Sequence, residues 1–163
     1  MEIKMALYLP RDAASVPVTR RVLDRCLETL GVVPDTRGDI ALALSEACAN
    51  VVLHAGPGEE YEVQVSARNG RCVIEVVNAG RGTGTLQDGR ATGQEWFGGS
   101  ARAADLGPAT AEHGRGLTII DAVTDNMKLT GNERHGTTVH FEKTLQWLPG
   151  AAGQHLFNAD EGS

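Results

Sequence analysis

"EYEVQVSARNGRCVIEVVNAG", residues 60–80, decides the fold. Two runs of strand character, with apolar and polar residues alternating at the period of a pleated strand, meet at Asn69-Gly70. Asn-Gly between such runs is the strongest short-range hairpin signal, because both residues enter the positive-φ turn that matches the strands' twist. The pair therefore reads as two antiparallel neighbours within a sheet.

Toward the N-terminus, Lys4 to Leu9 alternate loosely and stop at Pro10, which predicts a short first strand at a sheet edge. A helix is expected next, with Ser15 as its cap, Pro17 in its first turn, Val16, Leu23, Leu27 and Leu30 near one face, and Gly31 as its stop. A second helix is expected from about Asp35 or Asp39 to Ala55, carried by Ile40, Leu44, Ala47 and Val51 at helical spacing and ended by "AGPG". Toward the C-terminus, residues 81–113 are rich in Gly, Ala and Thr, with a weakly helical patch at "SARAADL". Their length suits a lid or binding loop. A third helix is expected over Leu117 to Asp125, then a closing hairpin from "NMKLTG" and "TTVHFEKTL". The order of elements predicts a two-layer α/β sandwich, with helices on one face of a mixed, mainly antiparallel sheet. That domain spans residues 1–148, and residues 149–163 read as a mobile or loosely docked tail, polar except for Leu156 and Phe157.

Composition narrows the function. A chain of 163 residues suits one domain with a real core, and there are no internal repeats. The net charge of -6 argues against direct nucleic-acid binding, which needs clustered Lys and Arg to displace counterions. No run approaches the roughly 18 apolar residues of a membrane span, and "MEIKMALYLPRD" does not read as a signal peptide, so a cytoplasmic protein with no membrane partner is expected. Cys26, Cys48 and Cys72 are far apart and sit in apolar segments, the pattern of small buried hydrophobes in a reducing compartment.

Four stretches carry residue types suited to chemistry. On the second helix Glu46, Asn50 and His54 stand four apart and so share one face. A solvated polar face explains such spacing equally well, but a carboxylate can also take a hydroxyl proton, and an amide oxygen is a neutral hard ligand for magnesium. His54, at the helix end, reads as a cap or packing residue. "VVNAGRGTG" places Asn78, Gly80 and Gly82 at a strand end, where bare backbone can meet a ring or a phosphate or simply turn. "EHGRGLTII", residues 112–120, sets Gly114 and Gly116 before an apolar helix, a simple turn or a phosphate-binding helix start. "HGTTV" holds Gly136, Thr137 and Thr138 at the entrance to the last strand, where threonine also follows strand preference. "GRGLTII" lacks the third glycine of a dinucleotide-binding turn and the Gly-Lys-Ser/Thr of a P-loop.

In this order, Glu-x-x-x-Asn on a helix, a Gly-x-Gly strand end, a lid-length loop, Gly-x-Gly-Leu opening a helix and Gly-Thr-Thr before a strand, the constellation resembles the ATPase fold of gyrase, histidine kinases and MutL. The resemblance covers roughly Asp39 to Lys143. Without room for the further domains of those relatives, "GRGLTIIDAVTDNMKL" and "HGTTVHFEKTL" look like the bacterial anti-sigma factor serine kinases of the RsbW and SpoIIAB type. That resemblance implies a cytoplasmic, often homodimeric protein that binds ATP and magnesium, sequesters a sigma factor and phosphorylates a serine or threonine of an anti-anti-sigma (STAS-domain) antagonist. It implies Glu46 as the base that orients the antagonist's hydroxyl and Asn50 as the magnesium ligand. Gly80 and Gly82 would border the adenine pocket, Gly114, Arg115, Gly116 and Leu117 the phosphates and lid hinge, and Gly136 with Thr137 the far side of the base. Arg102 and Arg115 would supply the lid's positive charge. Where the family usually has an aspartate bonded to the adenine amino group, this chain has Asn78. Its oxygen accepts the same bond without a charge, a loss on the order of 1 kcal/mol. Two further readings follow: a non-catalytic partner-switching module with weak or no ATP use, and a nucleotide hydrolase or phosphatase-associated regulator.

Overall fold

The computed structural model describes residues 1–54, 60–79, 111–132 and 136–158. Its elements are β1 (Glu2–Pro10), α1 (Ser15–Leu30), α2 (Pro34–His54), β2 (Glu60–Arg68), β3 (Arg71–Ala79), α3 (Ala111–Val123), β4 (Asn126–Asn132), β5 (Gly136–Thr144) and α4 (Ala152–Asn158). The five strands form one sheet in the order β1-β2-β3-β5-β4, with β1 at one edge as its Pro10 required. Every described pairing is antiparallel, so the sandwich is the expected one while its sheet lacks a parallel component among the described residues.

The β2–β3 hairpin turns at Asn69 and Gly70, both at positive φ, which is the geometry their sequence favours. Its register aligns Val63 with Val76, Val65 with Ile74 and Ala67 with Cys72. These side chains are all buried, and with Val139 and Phe141 of β5 they form the sheet's half of the core. The helical half comes from Leu23 and Leu27 of α1, Ile40, Ala43, Leu44, Ala47, Cys48 and Val51 of α2, and Leu117 and Ile120 of α3. Period 3.6 on the helices and period 2 on the strands thus converge on one apolar layer.

Several local details differ from the sequence expectation. Ser15 does not cap α1: the N-cap is Ala14, without a side-chain bond. The Ser15 hydroxyl is instead buried, within 2.6 Å of the Tyr61 hydroxyl and 2.7 Å of the Asp12 carbonyl oxygen. Burial pushes the Tyr61 hydroxyl and the Cys48 thiol up to about 12. Of the three free cysteines, Cys48 and Cys72 are buried as expected, but Cys26 is exposed, because it lies on α1 beyond the stripe set by Thr19, Leu23 and Leu27.

The segment after Leu148 is the larger difference. The expected loose tail contains α4, whose Phe157 is 1% exposed and stacks on Trp147 with ring centroids 5.7 Å apart. Val32 and Trp147 form a β-bridge, and Leu148 donates its N–H to the Gly31 carbonyl. Gly31, at φ +85°, ends α1 and leaves room for Ala151, while a side chain at Gly153 would collide with the Trp147 ring. Phe157 docks the segment because the chain return supplies Trp147 as its partner, while Leu156 stays exposed.

Candidate functional site

α2 carries the first pair of candidate residues. Glu46 and Asn50 stand one turn apart on it, both half-buried. α3 packs along α2, and Gly116 faces Glu46: a Cβ placed there would lie 3.1 Å from the Glu46 carboxylate oxygen Oε2. Glycine at 116 therefore makes the space in which that carboxylate rests. Among the described residues, no hydrogen bond or ion pair engages the Glu46 carboxylate.

The helix that carries the glycines starts earlier than expected. α3 begins at Ala111 rather than Leu117, so Gly114 is its fourth residue and Gly116 its sixth. Only the first four N–H groups of a helix lack an internal partner. Gly116 lies past them, and its missing side chain leaves room for Glu46. Leu117 is fully buried in the core and Arg115 is exposed. The C-terminal end of α3 is held by Lys143 of β5, whose Nζ donates to the Val123 carbonyl at 2.8 Å and pairs with Asp39 of α2 at 2.9 Å. Asp125 then accepts bonds from the Thr144 N–H and hydroxyl, which fixes the turn from α3 into β4.

The second pair lies on the sheet. β3 and β5 align Asn78 with Thr137 and Ala79 with Gly136, so Asn78 and Thr137 are cross-strand neighbours on one face. This is the helix-covered face, since Asn78 follows Ile74 and Val76 at steps of two. Thr138 points to the opposite face. Asn78 is only 3% exposed, and its Oδ1 is buried without a hydrogen-bond partner. An orphaned buried acceptor costs on the order of 1–3 kcal/mol, and native proteins rarely leave one unless something else is to fill it. A base bearing an amino group fits that vacancy chemically, so the residues present suit a purine nucleotide. Gly80, Gly82, Arg102 and the His54 side chain lie outside the described residues. No cluster of three or more metal-ligating His, Cys, Asp or Glu side chains occurs among the described residues.

One constellation was missed in the sequence. On the sheet's uncovered face, His140 Nδ1 lies 3.0 Å from Glu75 Oε1, its Nε2 lies 3.0 Å from Glu142 Oε1, and Arg71 is 3.0 Å from Glu142 Oε2. The hydrogen bond to Glu75, then that to Glu142, holds His140 above its ordinary value against the opposing effect of burial. Bonding to His140 in turn holds Glu75 and Glu142 below the usual carboxylate range. The spacing of His140 and Glu142 on one strand was a signal for half of this network, but Glu75 comes from β3 and only register brings it there.

Comparison with known proteins identifies the family. The chain is 29% identical over 149 residues to the serine-protein kinase RsbW of Bacillus velezensis, covering 85% of this chain and 84% of that one. It is 28% identical to the serine-protein kinase RsbW of Bacillus subtilis over the same shares of the two chains. Among solved structures, the RsbU and RsbW domains of a Mycobacterium tuberculosis protein superpose with a TM-score of 0.61 at 18% identity, covering 88% of this chain and 32% of that one, and share its fold. No described helix is long and apolar enough to cross a membrane. With a family model for the histidine kinase-like ATPase domain matching residues 9–143, the chain belongs to that ATPase family, beside the RsbW-type serine kinases.

Proposed function

We propose that this chain is an anti-sigma factor and serine/threonine protein kinase that binds magnesium and ATP, sequesters a sigma factor and phosphorylates a STAS-domain anti-anti-sigma antagonist. The observation that carries the reading is the Glu46 carboxylate, half-buried in the space left by Gly116 and engaged by no other described group. A carboxylate held in that way is available to accept the proton of a serine or threonine hydroxyl. Asn50, one turn along α2, offers a neutral oxygen to magnesium. Asn78 and Thr137 hold the purine base, and Gly136, the first residue of β5, lies beside Thr137 on its far side. Gly80 and Gly82 border the adenine pocket, and Gly114, Arg115, Gly116 and Leu117 border the phosphates and form the lid hinge. Magnesium-bound ATP supplies the phosphoryl group, and the chain's contribution is positioning and water exclusion, the main sources of rate in phosphoryl transfer. The polar face of α1, with Arg20, Arg21, Asp24 and Glu28, offers a mixed-charge surface to a protein partner.

The test is transfer of labelled phosphate from ATP to STAS-domain antagonists, beside calorimetric titration with magnesium and ATP. Glu46→Gln keeps the shape and hydrogen-bonding reach but removes the base, so transfer should fall by at least about a hundredfold while ATP affinity holds within a few-fold. Nucleotide binding with no transfer to any antagonist would favour a second reading, a partner-switching module that works by contact alone. The uncharged Asn78 in the base pocket is the observation on its side.

A further inference from the structure

We propose that Asn78 makes the base pocket a reader of 6-oxopurines as well as of adenine, so that the site takes inosine- or guanine-type triphosphates alongside ATP. This rests on the nucleotide-binding reading above. The Asn78 amide sits at the end of β3 opposite Thr137, almost wholly buried, with Oδ1 unpartnered. Among the described residues, no hydrogen bond fixes the amide in one orientation. Its last torsion is broad and nearly two-fold, so the oxygen and the NH2 group can exchange places at little cost.

That exchange matches the difference between the two base edges. Adenine presents an amino donor at position 6 and an acceptor at N1. A 6-oxopurine presents the mirror pattern, an acceptor at position 6 and an N1–H donor. In one orientation Oδ1 accepts from the adenine amino group while Nδ2 donates to N1. Turned over, Nδ2 donates to the 6-oxo group while Oδ1 accepts from N1–H. An ionised aspartate at this position has acceptors only and would set one of them against the 6-oxo oxygen. Strong discrimination arises when a buried polar group is left unpaired by the wrong ligand, and the amide avoids that outcome with either base.

The experiment is calorimetric titration of the full chain with magnesium plus ATP or inosine triphosphate, which carries the 6-oxo edge without the additional 2-amino group of guanine. For the native chain the two dissociation constants should agree within about fivefold, and Asn78→Asp should open the ratio to about thirtyfold or more in favour of ATP. A native chain that already prefers ATP by more than about thirtyfold overturns the proposal while leaving ATP binding intact. So does an Asn78→Asp ratio equal to the native one in a variant that melts as the native chain does. If the variant does not fold, the native ratio alone decides. Binding of neither nucleotide overturns the nucleotide site and this proposal together.

Discussion

Replacing Gly116 by alanine should separate stability from activity. The new methyl group would stand 3.1 Å from Glu46 Oε2 and 3.9 Å from Glu46 Cβ, with no other atom within 4 Å. The second distance is an ordinary contact, and the first is short by a few tenths of an ångström. The crowded atom is the far end of a flexible side chain, so the adjustment is a turn of the Glu46 torsions costing roughly 0.5–1 kcal/mol. Against it stands the gain from replacing glycine inside a helix, also about 1 kcal/mol. The two nearly cancel, and the variant should melt within a few degrees of the native chain. The carboxylate, however, no longer sits where it did. A displacement of 1 Å at a reacting group can cost about a hundredfold, so a few tenths should slow phosphate transfer about five- to tenfold with little change in ATP affinity. The assay is single-turnover transfer to the antagonist, paired with a thermal melt and a nucleotide titration. In a Glu46→Gln background the same glycine replacement should have no further effect, because the group it moves has already lost its proton-accepting role. An unchanged transfer rate in Gly116→Ala would refute the positional role of the contact. So would a stability loss above about 2 kcal/mol, which would mean the carboxylate cannot yield.

Two further outcomes test the fold around the site. Phe157→Ala removes a fully buried ring stacked on Trp147 and should cost about 3 kcal/mol in denaturant melts, at the low end for such truncations because a terminal helix can partly close the gap; a loss below about 1 kcal/mol would show that α4 contributes little to the domain. His140→Gln should reduce stability in a pH-dependent way. His140 is raised above 6.5, so its contribution is present below that value and fades as pH rises through the raised one, whereas Glu75 and Glu142, lowered from 4.5, contribute above that value and fade as pH falls through their depressed ones. The gap between native chain and variant should therefore be widest between these two values and shrink above neutrality, and a gap that stays constant from about pH 5 to 9 would rule the network out as a source of pH-dependent stability.

Much of this architecture is local and so was legible in the chain. Asn69-Gly70 turns the hairpin because few residues enter positive φ readily, and the alternation on either side of it sets which residues face the helices. Pro10 confines β1 to an edge, and the stripes of α1 and α2 follow from spacing alone. The candidate residues Glu46 and Asn50 share a face for the same reason, since 3.6 residues per turn leave no alternative once the helix exists. Ser15 and Cys26 were misjudged because a cap or a buried thiol depends on what packs nearby, which the neighbouring letters do not carry.

Long-range pairing supplied the remainder. The register of β3 on β5 places Asn78 against Thr137, and residues 59 positions apart in the chain have no local signal that they will meet. Packing of α3 on α2 makes Gly116 the space that holds Glu46. Trp147 and Phe157 convert an apparently loose tail into a docked helix, and Glu75 joins His140 only across two strands. The sequence by itself determined which elements form and which side chains are available for chemistry, because torsional preference and hydrophobic period act over a few residues. Only the tertiary structure decided which of those side chains touch, because contact across the chain is set by how complete elements fill one shared core.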